Sequence, residues 1–325
     1  IQVFTKRGGK GLQAGAEIGY GTQNSLQASA NVSGGNEQTR YALGVAHQQT
    51  DGISVLTGPK HQKFSSDEDG YKNTSLTLSA SHAFNEQHEL GGSLLLAKVA
   101  SQYDNAFATK KYDYRDEGYN GAASLWSKNR ILENWTSRVQ VGTSIDDSYN
   151  YSPVPSWNPS QPEKQQFKTQ QNQLAWQNDV KVGPGTLTLG AETLEQKISS
   201  TTKYDVNQRR INSFLGGYLA NIGDVTLQAN VRTDDNSQFG RDTNGSLGAA
   251  WTFADVWQLG ATYGTGFRAP SFNELYYPGF GNPALKPEQS KNGEVFLRLL
   301  QSNGQAGLTI YHNRVTDLLQ YDSVS

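Results

Sequence analysis

YGTGFRAPSFNELYYPGFGNPALKPEQSKNGE, Tyr263 to Glu294, is the stretch that decides the fold of this chain. Just upstream and into it, Trp257, Leu259, Ala261, Tyr263, Thr265 and Phe267 alternate with Gln258, Gly260, Thr262, Gly264 and Gly266. That two-residue period puts apolar groups on one face of a strand and leaves the other polar or bare. Beyond Arg268 the steps Asn282-Pro283 and Lys286-Pro287 force extended or turn backbone, so a long, irregular, helix-free loop is expected before a descending strand begins near Ser290. The unit is a strand, a long aromatic loop and a strand.

Upstream, the same pattern repeats as hairpins: Leu12 to Tyr20, Ser25 to Val32, Arg40 to Gln48, Asn73 to Phe84 and Leu90 to Tyr103. Short turns fall at Asn85, Gly183, Ile222 and Ala254. Long connections are expected over Asp51 to Lys72, Asp104 to Gly118, Asn150 to Gln165, Ser199 to Gln208, Asp235 to Gly245 and Arg268 to Gln289. Short and long connections alternate, as in an up-and-down barrel with short turns on one rim and long loops on the other. In Val225 to Asp234 and Trp135 to Ile145 the face opposite the apolar one carries Arg232, Asp234 and Arg138, which implies a charged inner face. Period alone fits a soluble β-sandwich equally well. The loop asymmetry, and aromatics near strand ends (Trp135, Trp251, Trp257, Tyr218, Phe267), favour a membrane barrel. Gly91 to Val99 breaks the alternation.

Composition agrees. Only 35% of the 325 residues are hydrophobic, yet 34 glycines, 16 tyrosines, 12 phenylalanines and 6 tryptophans punctuate the alternation, unlike a disordered chain. A net charge of −2 with no basic patch argues against nucleic acid, and the lack of cysteine excludes disulfides and thiolate metal sites. No apolar run is long enough for a helical membrane span. The chain starts at Ile1 without initiator methionine or signal peptide, which reads as a processed or excised piece. The expected fold is all-β, an antiparallel up-and-down transmembrane β-barrel of about 15 strands. Barrels that enclose a plug and pass large ligands have roughly 22, so the barrel is expected to be partial, with two open edges.

GFRAPSFNELY (Gly266 to Tyr276) followed by GNPALKPEQSKNGE (Gly281 to Glu294) resembles the barrel signature of TonB-dependent outer-membrane receptors. RTDDNSQFGR (Arg232 to Arg241) is similar to their cobalamin (vitamin B12) receptor branch, and YHNRVTDLLQYD (Tyr311 to Asp322) resembles the family's next ascending strand. IQVFTKRGG (Ile1 to Gly9) resembles the exit from the family's plug domain. The resemblance implies a plug exit over residues 1–10 and a partial barrel over 11–325, with plug and closing strands absent. It also implies a bacterial outer-membrane location, capture of cobalamin or a related corrinoid by extracellular loops, and energy from TonB through the missing plug. The GFRAPS and GNPALKPE motifs fit a siderophore receptor equally. A passive porin or adhesin would need neither.

Acidic residues crowd two early loops, and calcium takes six to eight oxygens from loops of this kind. The cobalamin branch binds calcium there, and the resemblance points to Asp67, Asp69, Tyr103, Asp104 and Asp113, with Asp51 or Asp116 as substitutes because one family aspartate falls near Ser54. On residue pattern alone the same acids read as solvated loop charges. In the aromatic loop Tyr276, Tyr277, Phe280 and Asn282 are the candidate ligand contacts, since tyrosine offers large amphipathic area at low entropic cost. The same rings could serve only to fold the loop. Asp234 and Asp235 could cap a turn or pair with Arg232 and Arg241. His47, His61, His82, His88 and His312 show no metal spacing, and neither a G-x-S-x-G elbow nor a phosphate loop occurs, so no catalysis is expected.

Overall fold

A computed structural model describes residues 8–54, 56, 68–106, 111–154 and 159–320. Most of the expected plug-exit segment, residues 1–7, lies outside them. Fifteen strands follow in order: β1 (Gly11–Gly21), β2 (Ser25–Gly35), β3 (Thr39–Thr50), β4 (Tyr71–Ala83), β5 (His88–Gln102), β6 (Arg115–Leu132), β7 (Trp135–Tyr151), β8 (Lys164–Val182), β9 (Gly185–Ser200), β10 (Gln208–Ile222), β11 (Val225–Asn236), β12 (Gly240–Phe253), β13 (Trp257–Arg268), β14 (Glu288–Gln301) and β15 (Gly304–Thr316). Each pairs with its neighbours in sequence, in the order β1 to β15 without a crossover. Among the described residues β1 and β15 each pair on one side only. The chain divides into two compact units, Ile1–Lys128 with Gln140–Asn172 and Gln196–Lys203, and Asn129–Val139 with Gln173–Glu195 and Tyr204–Ser325.

The register assigns the two faces. In the first unit Leu43 pairs with Leu78, Leu78 with Leu94 and Leu76 with Leu96. In the second, Ala229 pairs with Leu247, Leu247 with Tyr263 and Leu259 with Leu297. These apolar side chains are not packed into a core: Leu247 is 65% exposed and Leu125 62%. A contiguous apolar surface turned outward from a one-layer sheet is the face a barrel presents to lipid. The opposite face of the second unit carries Arg232, Asp234, Ser213 and Glu192 joined by hydrogen bonds. Gly91 to Val99, where alternation failed, lies inside β5; Leu94 and Leu96 take the apolar face and Leu95 pairs with Thr77 on the other.

Connections at one end are the tight ones, 36–38, 84–87, 133–134, 183–184, 223–224, 254–256 and 302–303. The Asn36 and Asn85 carboxamide oxygens each accept two backbone amides, at 2.7 to 2.9 Å, closing their turns. At the other end lie the short 22–24 turn and the longer connections 51–70, 103–114, 152–163, 201–207 and 269–287. The long loop expected over Asp235 to Gly245 is instead a tight turn. The ladder continues through Asp235↔Arg241 and Asn236↔Gly240, and Gly240 closes it at φ 71°. The polar run did not end the strand there, since Asp234 is held by Arg232 and Ser213 on the charged face and the pairing carries on past it.

Candidate functional site

The loop 269–287 is not helix-free as expected. Ser271 caps a one-turn helix, α1 (Phe272–Tyr276), in a capping box: its hydroxyl accepts from the Glu274 amide at 3.2 Å and the Glu274 carboxylate accepts the Ser271 amide at 2.6 Å. The Pro steps constrain only the segment after it. Phe272 and Leu275 are buried. Arg209, from β10, lays its guanidinium 4.9 Å from the Phe272 ring and donates to the Pro270 carbonyl at 2.8 Å. Burial works against the Glu274 carboxylate, but the Ser271 amide and the Arg268 guanidinium, 2.8 Å away, hold it below its ordinary value. Arg268 also reaches Glu288, so both ends of the loop are tied to one guanidinium.

After α1 the chain doubles back: Phe280 and Gly281 amides donate to the Tyr277 carbonyl at 3.1 and 2.7 Å. A Cβ on Gly281 would lie 2.6 Å from the Tyr277 nitrogen, so only glycine permits this approach. The turn holds Phe280 out, 74% exposed, with its ring 6.1 Å from Tyr277. Tyr204, from the 201–207 connection, backs Tyr277 edge-on at 6.2 Å and donates to Asn273 Oδ1 at 2.6 Å. Burial, reinforced by Tyr277, pushes the Tyr204 hydroxyl up to about 12. Tyr276 accepts from Gln238 Nε2 at 3.4 Å, and the buried Gln238 Oε1 has no partner. Of the four predicted contacts, Tyr277 and Phe280 form the exposed platform, and Tyr276 packs beside Gln238. Asn282 is exposed with its carboxamide oxygen on the Ala284 amide. Tyr204 and Arg209 escaped the sequence reading because nothing local marks them.

The acidic loops are less convergent. Asp104 accepts from Ser54 Oγ at 3.2 Å and the Leu56 amide at 3.1 Å. Tyr103 and Asp116 both accept from Asn150 Nδ2, at 2.7 and 2.8 Å; burial raises the Tyr103 hydroxyl although that hydrogen bond lowers it. Asp113 is held by Arg115 at 2.7 Å and Gln102 at 2.9 Å, Asp51 by Asn24 at 2.6 Å, and the Asp69 amide donates to the Ile53 carbonyl at 3.4 Å. Asp67 lies outside the described residues. Among the described residues no three acidic or histidine side chains gather around one point. The donors are hard oxygens of the kind calcium takes, but as placed they hold protein partners.

A consecutive antiparallel sheet with an outward apolar face, a polar opposite face and long connections at one end is the wall of an outer-membrane barrel. Residues 11–325 match the family model described as TonB dependent receptor-like, beta-barrel, and the chain belongs to that family, whose members are bacterial outer-membrane proteins. Two curated relatives carry the name vitamin B12 transporter BtuB. One, from Vibrio vulnificus, is 29% identical over 99% of this chain and 51% of its own length; the other, from Photobacterium profundum, is 27% identical over 93% and 48%. The chain thus spans about half the length of the curated relatives it matches. Among solved structures it is similar to the siderophore receptor PirA from Acinetobacter baumannii (TM-score 0.79, 16% identity, 97% of this chain and 54% of that one). It is also similar to the FrpB iron transporter from Neisseria meningitidis (TM-score 0.77, 13% identity, 97% and 56%). At such identity these likenesses concern the fold.

Proposed function

We propose that this chain is the ligand-capturing barrel section of a TonB-dependent receptor that takes up cobalamin or a related corrinoid. The observation that carries the reading is the Tyr277 and Phe280 platform, held outward by a capped helix and a glycine-dependent turn; the relatives' printed name supports the cargo. A corrinoid offers a broad ring and many amides, which suit exposed aromatic area with polar neighbours such as Asn273, Gln238 and Asn282. Energy would come from TonB through a plug preceding the barrel, with residues 1–10 as the plug's exit. No catalytic role is assigned. Equilibrium binding of cyanocobalamin to the receptor in detergent tests the reading: Tyr277→Ala with Phe280→Ala is expected to weaken it tenfold or more while the barrel stays folded. Affinity for a ferric siderophore and none for any corrinoid would transfer the assignment to the siderophore receptors that the structural neighbours' names describe.

Calcium at the acidic loops is part of the same proposal. Asp104, Asp116 and Tyr103 would form its nucleus, with Asp69, Asp67, Asp113 and Asp51 contributing once the ion displaces Asn150 and Gln102 from their present oxygens. Bound calcium would order those loops by cross-linking them. Isothermal titration should show calcium-dependent heat that Asp69→Asn with Asp104→Asn abolishes; heat unchanged by both substitutions would remove calcium from the proposal.

A further inference from the structure

Toward the long connections β12 and β13 part. Their ladder runs from Phe253↔Trp257 as far as Ser246↔Gly264, whereas β12 continues beside β11 to Asn236↔Gly240 and β13 continues beside β14 to Arg268↔Glu288. Just past the last pair the Gly245 amide donates to the Thr265 hydroxyl at 3.1 Å, a side chain serving where a ladder uses backbone. A cavity of about 370 Å³ occupies the gap, lined by Asp242, Asn244 and Gly266 from the polar face and by Thr243 and Thr265 from the apolar one. Side chains from both faces of a one-layer sheet can line one cavity only where the sheet has opened.

The aromatic loop crosses this seam. Pro270 and Phe272 follow the end of β13 by two and four residues, yet both meet Arg209 of β10, three strand positions or about 14 Å away across the sheet. Arg209 stands at even spacing from Ser213, on the polar inner face. Its guanidinium donates to the Pro270 carbonyl at 2.8 Å while lying 4.9 Å from the centre of the Phe272 ring, so one planar group fixes both the distance and the tilt at which α1 begins. Tyr204 and Gln238 meet the same helix at Asn273 and Tyr276. The tie to the loop's own hairpin is looser in kind, because Arg268 is half-exposed and its pairs with Glu274 and Glu288 are screened by water. With the ladder between β12 and β13 ended at Gly264, α1 is placed by β10 and its neighbours more than by the hairpin that carries it.

We propose that Arg209 is a positioning residue for cargo capture: by holding the Pro270 carbonyl and the Phe272 ring together it straps α1 across the open seam and so sets where Tyr277 and Phe280 stand. Those rings follow α1 by one and four residues, and a helix that leaves β10 carries them with it. Arg209 acts through the loop and not on the cargo. It governs the fraction of receptors whose platform is in place, and apparent affinity falls in proportion to that fraction. The inference rests on the cargo proposal, so its test reads the position of the loop separately from cargo.

Nitroxide labels at Asn207→Cys and Ala284→Cys, exposed positions beside β10 and in the aromatic loop, report their separation by dipolar electron paramagnetic resonance of the receptor in detergent without ligand. Stopped-flow mixing with cyanocobalamin, on receptor without labels, separates association from dissociation. Arg209→Gln and Arg209→Lys should both broaden the label distance, since lysine keeps the charge but not the planar fork. Both should slow association roughly fivefold with dissociation unchanged, the mark of a competent fraction reduced to about a fifth. Arg210→Gln should change neither: that guanidinium lies on the opposite face, 63% exposed and 3.7 Å from Glu195. Heat-modifiable gel mobility reports folding of every variant. A label distance left narrow in either Arg209 variant would overturn the proposal. So would faster dissociation with the distance unchanged, which would make Arg209 a cargo contact. Broadening in the Arg209 variants of a receptor that binds no corrinoid even when unsubstituted would remove cobalamin as the cargo and uphold the strap.

Discussion

Glu274 does two jobs with one carboxylate, closing the capping box on Ser271 and accepting from Arg268. Its folded-state pKa is lowered, so the stabilisation tied to its charge is present above its ordinary value of 4.5 and is lost as pH falls through the folded value. The protection of amides 272–281, taken relative to their intrinsic exchange rates at each pH, should therefore fall on acidification below about 4.5. Glu274→Gln should flatten that dependence, and Ser271→Ala should destabilise the helix by about 1 kcal/mol at neutral pH. Tyr204 behaves differently: with its hydroxyl pushed up to about 12 it stays a neutral donor to Asn273 through the physiological range. Tyr204→Phe should then cost only about 1 kcal/mol of loop stability, because the ring still backs Tyr277, whereas Tyr204→Ala should also weaken cyanocobalamin binding. The Ser271 and Glu274 spacing was legible in the sequence as a capping signature, and the proline steps further on obscured it. Tyr204 was not legible, since it meets Asn273 69 positions away.

At the level of elements, the aromatic loop is a scaffold of short local devices. The capping box starts α1, Leu275 and Phe272 anchor it, and the Tyr277 to Gly281 turn ends it and projects Phe280. Gly281→Ala puts a Cβ against backbone atoms at 2.6 and 2.7 Å, which cannot swing aside as a side chain would. The turn must open, so cyanocobalamin binding should fall at least as far as in Phe280→Ala while heat-modifiable mobility stays that of the folded barrel; binding left unchanged would show that the turn does not position the ring. The sequence marked both ends of this loop and its aromatic content, because those depend on alternation and proline. It misplaced the turn between β11 and β12 for a related reason. The run from Asp235 to Gly245 was read as a long loop because it is polar, yet the ladder continues through Asp235 and Asn236, and Asp234 before them is fixed by Arg232 at 2.8 Å. The sequence left open whether Asp234 and Asp235 cap a turn or pair with Arg232 and Arg241, and the structure shows the pairs; Glu192 and Ser213, from two other strands, were not anticipated.

For the whole molecule, periodicity told that the chain forms two-faced strands but not which solvent each face meets. Connection lengths made that distinction, because a sandwich has no reason to keep all its long loops at one end of consecutive strands. Strand lengths add to it: spanning a bilayer takes about 9 to 11 residues. β1 and β2 have 11 each, whereas β6, β7 and β8 have 18, 17 and 19, so with tight turns at one end their excess extends beyond the membrane on the long-loop side. The assignment of faces can be tested with one residue type at two neighbouring positions of the second unit. Leu247 of β12 lies opposite Ala229 and Tyr263 on the apolar face, and Gln228 of β11 lies opposite Gly248 on the polar face. If the apolar face meets lipid, Leu247→Arg should cost about 2 to 4 kcal/mol in reversible unfolding from phospholipid vesicles, the penalty for arginine near the bilayer midplane. Gln228→Arg, beside Asn230 and Gly248, should change stability by less than about 1 kcal/mol. The reverse ranking would place water on the apolar face and lipid on the charged one, and equal small costs would mean that neither face meets hydrocarbon.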